Sequence, residues 1–244
     1  MNRIKIKHLI LLIILIGIFI IGTPNIFHRN SGVSVSTGTT GNGTLKNAWQ
    51  VDYKTKNSKY FSLVSYYLLG TAYVHSQLYQ TLQDCYKECE TTCPGIKFRI
   101  MECSLKKGGK TLIHRSHRNG LSADFMVPKI KNTKQIRSYD RIGLWHYLLN
   151  FDSNGRLRIN KKISIDFETM AKQILALDNA ARKNGLAITK IILKIDLKDD
   201  FFKTKEGQEI RRRGIYFAQN LTKTLNTLHD DHYHVDFEIM KNED

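Results

Sequence analysis

Three cations, Arg3, Lys5 and Lys7, precede an uninterrupted apolar run from Leu9 to Ile21, with no acid among them. A basic flank ahead of an all-apolar stretch is the pattern of an export signal or an N-terminal membrane anchor. Residues 1–30 are therefore set apart, and the rest of the chain is expected to fold beyond a membrane, in the periplasm or cell envelope. Gly22-Thr23-Pro24-Asn25 is a poor small-x-small cleavage site, whereas Ile26 and Phe27 would extend the run toward the roughly 20 residues of a spanning helix. Cleaved signal and retained inner-membrane anchor both stay open. No Cys lies near the end of the run, so no lipid attachment is expected.

Residues 31–45, SGVSVSTGTTGNGTL, are almost wholly Ser, Thr, Gly and Val, a composition expected to form a flexible linker that buries no core. One globular domain is then expected over residues 46–244. The formal net charge is +16, of which the three N-terminal cations supply only a small part. A basic exported domain attracts polyanions, whether nucleic acid, anionic lipid or a carboxylate-rich wall polymer. Export and the lack of a reading motif speak against nucleic acid, and no protein partner can be inferred.

Cys85, Cys89, Cys93 and Cys103 form an even set in an exported chain, which predicts disulfides over a zinc ribbon, because the spacing is not that of paired C-x2-C. The apolar spacing Val74, Leu78, Leu82 predicts a helix over 73–90 with Cys85 and Cys89 on one face, so Cys103 is expected to join one of the others. Alternation predicts a strand over 96–103. Asp166 caps a helix that Gly185 ends, followed by an apolar strand over 186–195 that is expected to lie inside the sheet. A basic helix over 208–228 and a last strand over 233–239 complete an α+β fold. It is expected to be a mainly antiparallel sheet flanked by helices, with a zinc site in a cleft on the sheet.

The chemistry concentrates in two segments. In the first, the Asn119-Gly120 turn lets His117 and Asp124 approach each other, and alternation sets Asp124 opposite the apolar residues Leu121, Ala123, Phe125 and Val127. His114 precedes His117 by three residues and should face away. In the second, His232 and His234 share one face of an extended segment whose other face carries Tyr233, Val235 and Phe237, and His229 lies just before them. Any one of these histidines alone is most simply a surface or hydrogen-bonded residue. Their concentration at one strand boundary points to a metal, and imidazole with carboxylate suits Zn²⁺, which as a catalytic ion keeps a position for water and lowers its pKa.

The segments Ser116-His117-Arg118-Asn119-Gly120-Leu121-Ser122-Ala123-Asp124 and His229-Asp230-Asp231-His232-Tyr233-His234-Val235 resemble the S-H-x-x-G-L-x-x-D and H-x-x-H-x-H-V motifs of penicillin-insensitive murein endopeptidases. Those enzymes are related to lysostaphin-type and D-Ala-D-Ala metallopeptidases. The resemblance implies that His117, Asp124 and His234 hold Zn²⁺ and that His229 and His232 are catalytic. It implies hydrolysis of amides in peptidoglycan peptides or cross-links. The chain is shorter than the family's and its cysteines differ, and the glutamate base of the D-Ala-D-Ala relatives is not apparent, so His229 stands where a base is needed. A D,D-carboxypeptidase or dipeptidase of the same group, and a non-catalytic basic wall-binding module, are the alternatives.

Overall fold

A computed structural model describes residues 3–111 and 115–241; His114 lies outside the described residues. The strands are β1 (Val35–Thr39), β2 (Asn42–Lys46), β3 (Trp49–Gln50), β4 (Ser58–Tyr60), β5 (Tyr73–Val74), β6 (Phe98–Ile100), β7 (Ser122–Met126), β8 (Lys129–Lys131), β9 (Lys134–Gln135), β10 (Ser164–Ile165), β11 (Leu186–Ile192) and β12 (His232–Ile239). The α-helices are α1 (Arg3–Ile26), α2 (Ser76–Thr92), α3 (Phe167–Lys183), α4 (Lys198–Lys203), α5 (Lys205–Arg212) and α6 (Lys223–Leu228).

The principal sheet has the order β11-β12-β7-β6-β4. It is mixed: β4 pairs with β6 in parallel while the other neighbours are antiparallel, as a mainly antiparallel sheet allows. Strict alternation sorts the two central strands. Ala123 and Phe125 of β7 join Tyr233, Val235 and Phe237 of β12 in the core, where the Phe125 and Tyr233 rings stack 5.3 Å apart. Ser122, Asp124, His232, His234 and Asp236 occupy the opposite face.

Helix α3 starts as expected, with the Asp166 carboxylate accepting from Thr169 N at 3.0 Å. It ends at Asn184 before Gly185, whose φ of 73° suits the left-handed stop. Its buried stripe of Met170, Ala171, Ile174 and Leu177 packs beside α2. Strand β11 is not interior but an edge. Its apolar content is explained by a crossing segment: Ile191 N donates to Tyr216 O and Ala218 N to Ile191 O, at 2.8 and 2.9 Å. That segment also breaks the helix expected over 208–228, since Gly214 takes φ 73° and the chain runs extended before α6.

Two further expectations are overturned. Residues 31–45 are not a tether: β1 and β2 form a hairpin with a Thr40-Gly41 tip, and Leu45 is only 2% exposed. The hairpin is stitched to the body by Ser36 Oγ donating to Asn119 O, Arg118 N to Thr40 O and Leu45 N to Lys107 O, at 2.5, 3.0 and 3.0 Å. The stretch before it is tied down as well, Asn30 Oδ1 accepting from Gln50 N at 2.7 Å and Gly32 O from Trp49 Nε1 at 2.9 Å. The four cysteines are free and buried. Cys85, Cys89 and Cys93 follow one another along α2 at four-residue steps, where parallel Cα–Cβ vectors do not suit a bond, and Cys103 Sγ points at Met101 O from 3.8 Å.

Helix α1 is long and apolar enough to cross a membrane, a test that signal sequences also pass, and its Ile6–Ile26 stretch is almost wholly exposed. Its end is tied to the domain, with Asn25 Nδ2 donating to Tyr67 O at 2.7 Å and the Tyr73 hydroxyl to Asn25 Oδ1 at 2.9 Å.

Candidate metal centre

The antiparallel register of β7 and β12 sets Asp124 directly opposite His234. That pairing brings the Asp124 carboxylate Oδ1 within 2.7 Å of His234 Nδ1. His117 arrives from the loop before β7. Its φ of 63° turns the chain so that its imidazole reaches back, with Nε2 3.2 Å from Asp124 Oδ2 and its ring 4.7 Å from that of His234. The turn that follows requires Gly120: φ is 79°, and a Cβ there would sit 2.6 Å from Leu45 and 2.9 Å from His75 N.

Ligand atoms of His117, Asp124 and His234 all lie within 4.8 Å of one another, and all three residues are buried. This group can hold a metal ion. Its surroundings fit one too: His234 Nε2, turned away from Asp124, lies 2.7 Å from Asp236 Oδ1. Asp236 in turn accepts from Ser122 Oγ and pairs with Lys190 Nζ, at 2.6 and 2.7 Å. A carboxylate behind the far nitrogen of an imidazole fixes its tautomer and is the common outer support of a metal-ligating histidine. Burial opposes the charge of Asp124, but His117 and His234 outweigh it and hold the carboxyl well below its usual range. For His234 burial is likewise overcome, by Asp236 first and Asp124 second, and its pKa rises to about 10.

Both remaining predicted histidines stand beside this group. His229 closes α6 as its C-cap residue and places Nδ1 2.7 Å from Leu225 O. A carbonyl only accepts, so Nδ1 carries the hydrogen and Nε2 keeps its lone pair. Burial, with the charge of His232 adding to it, lowers His229 to about 4. His232 is 4.8 Å away between ring centres and behaves oppositely. Burial works against its cation, but the hydrogen bond from Nδ1 to Asp231 Oδ1 at 2.7 Å and the surrounding carboxylates raise it to about 9.

Four residues here went unrecognised in the sequence. Asp231 bridges two histidines, accepting from His232 on one oxygen and from His146 Nδ1 on the other at 2.7 Å. His146 comes from a 3-10 segment, Gly143–Leu148, and is wholly buried, with no hydrogen-bond partner on Nε2 among the described residues. His146, Asp231 and His232 are a second buried group of metal-ligating type. Glu102, 3% exposed and with no partner on Oε2 among the described residues, is raised to about 8 by burial and then by the Asp124 charge. Asp236 is the fourth. A lone carboxylate in the apolar run Ile100-Met101-Glu102-Cys103 was a usable signal; nothing near His146 in the sequence was.

No family model matches the chain, and no curated protein matches it in sequence.

Proposed function

We propose that the chain is a zinc-dependent murein endopeptidase, hydrolysing amide bonds in peptidoglycan peptides or their cross-links. The observation that carries the reading is that two segments 110 residues apart bring His117, Asp124 and His234 together beside one neutral and one cationic histidine. Two imidazoles and one carboxylate are a donor set suited to Zn²⁺, whereas Mg²⁺ and Ca²⁺ favour all-oxygen sites. Zinc held there supplies a Lewis acid that polarises a carbonyl and makes water acidic near neutral pH.

The chain's own residues supply the proton handling. His229, neutral with its Nε2 lone pair available, accepts the proton of the attacking water. His232 is held as a cation by Asp231, so its Nε2–H faces the developing oxyanion and can then protonate the leaving amine. His146 steadies the far side of Asp231. The two histidines, driven apart in pKa by their surroundings, thus serve as base and acid. Helix α1, retained or cleaved, delivers the domain to the cell envelope.

The test is a metal analysis of the full chain together with digestion of intact sacculi. About one zinc per chain, product release, loss on chelation and return with zinc are expected. Wall binding by zinc-loaded protein with no product released would replace this reading with a non-catalytic wall-binding module. Trimming of soluble muropeptides with sacculi left intact would replace it with a D,D-carboxypeptidase or dipeptidase.

A further inference from the structure

Away from the histidines, a cavity of about 970 Å³ opens between the β4 region and the 3-10 segments of residues 138–148. None of the histidines or aspartates of the metal centre lines it. Its walls carry Lys54, Lys59, Lys97, Arg99, Arg137 and Arg141, plus Lys56, which is paired with Glu90. The single acid of the lining, Asp140, is engaged with the buried Lys129 at 2.8 Å. Among the described residues no carboxylate lies within ion-pair distance of Arg99, Arg137 or Arg141, and Arg99 Nε is buried with no hydrogen-bond partner. Burial lowers the Arg99 pKa; Asp140 offsets this in part, and Arg137 and Arg141 add to the lowering. An uncompensated cluster around a sunken guanidinium is a receptor for an anion with two or more acceptor oxygens.

The cavity's position selects the anion. Leu63 and Val64 line it, and the same two residues line the apolar groove formed with Leu15, Ile18, Phe19, Gly22 and Ile26 of α1. The basic cavity therefore adjoins the C-terminal half of α1, the helix long and apolar enough to cross a bilayer. Its rim carries Trp145, 70% exposed, and Leu63, 57% exposed, side chains that suit the headgroup level of a membrane. A basic site at a leaflet carrying anionic lipid meets a high local concentration of phosphodiesters.

We propose that this cavity binds the phosphodiester headgroup of an anionic phospholipid, with Arg99 as the deep ligand and Arg137 and Arg141 at the mouth. The proposal rests on α1 staying in the bilayer and is independent of hydrolysis. Its function would be to fix the orientation of the domain on the membrane.

The test uses the full chain extracted in detergent, with intact mass showing whether residues 1–26 are retained; a chain lacking them overturns the proposal. Native mass spectrometry with phosphatidylglycerol and phosphatidylcholine of equal chain length should show at least fivefold preferential retention of the anionic lipid. Arg99→Gln and the exposed pair Arg137→Gln/Arg141→Gln should each abolish that preference while leaving sacculus digestion unchanged. Equal retention by the wild type, or a persisting preference in either variant that keeps its native circular dichroism, overturns the proposal. If Arg99→Gln does not fold, the exposed pair decides alone. Displacement of phosphatidylglycerol by micromolar inorganic phosphate would identify a soluble-anion site and overturn the lipid source.

Discussion

Among the described residues, two buried groups share one composition, two histidines and one aspartate, and they are wired differently. In His117–Asp124–His234 the aspartate meets one imidazole through Nε2 and the other through Nδ1, and a second carboxylate, Asp236, waits behind His234. In His146–Asp231–His232 the aspartate meets both imidazoles through Nδ1, and among the described residues no carboxylate is hydrogen-bonded to the Nε2 of either. The first wiring gathers donors around a point and braces them from outside, as a metal requires. The second turns two Nε2 atoms outward from a shared anion, as proton transfer requires. Composition alone does not tell the two apart; the proposed division of roles rests on the placement of the extra carboxylate.

The largest effect that can break this distinction is on metal content. His117→Ala, Asp124→Ala and His234→Ala should each lose most of the zinc, because three protein ligands leave no spare donor. His146→Ala and Asp231→Asn should keep it, and metal analysis showing the reverse pattern would exchange the roles of the two groups.

Next in size is activity. Asp231→Asn and His229→Gln should each slow sacculus digestion about 10²- to 10⁴-fold with zinc in place. In Asp231→Asn the His232 cation loses the partner that raises it toward about 9. Its pKa then falls, and the basic limb of the kcat/KM profile should move to lower pH. An unmoved limb would assign it to another group.

These expectations depend unequally on the sequence. His117, Asp124, His229, His232 and His234 were readable because a turn and a two-residue alternation place them locally. Asp231 was in plain view inside the second motif but unreadable in role, since its partner His146 lies 85 residues away on a short 3-10 segment without periodicity. The same limit applied to the fold. Helix α3 announces itself through its cap and its stripe, whereas the hairpin of Val35–Lys46 hides behind a linker-like composition. The alternation in Val33-Ser34-Val35-Ser36 is a strand signal that the composition masks, and what holds the hairpin down is bonding to the main chain of Asn119, Arg118 and Lys107.

Smaller effects sharpen the comparison. Asp236→Asn should weaken zinc affinity about 10- to 100-fold without abolishing the site, as loss of an outer carboxylate does. An unchanged affinity in a competition titration would remove the bracing argument. Smallest is a stability effect at Glu102. Its folded pKa of about 8 lies above the ordinary 4.5, so the native metal-free protein binds more protons, and stability falls as pH rises between those values. Glu102→Gln should flatten that decline in chemical unfolding of metal-free protein. Persistence of the slope in the variant would place its origin elsewhere.

The strand pairing that sets Asp124 against His234 also carries a consequence in time. One end of the site leaves the ribosome 110 residues before the other, and neither segment can gather the ligand set until β7 and β12 have zipped together in register. A one-residue slip would turn the histidines into the core and Tyr233 and Val235 outward, so the ladder admits no half-assembled version. For the exported enzyme proposed above, an unfolded chain in transit is harmless cargo, and metal uptake would report that the last long-range pairing is complete.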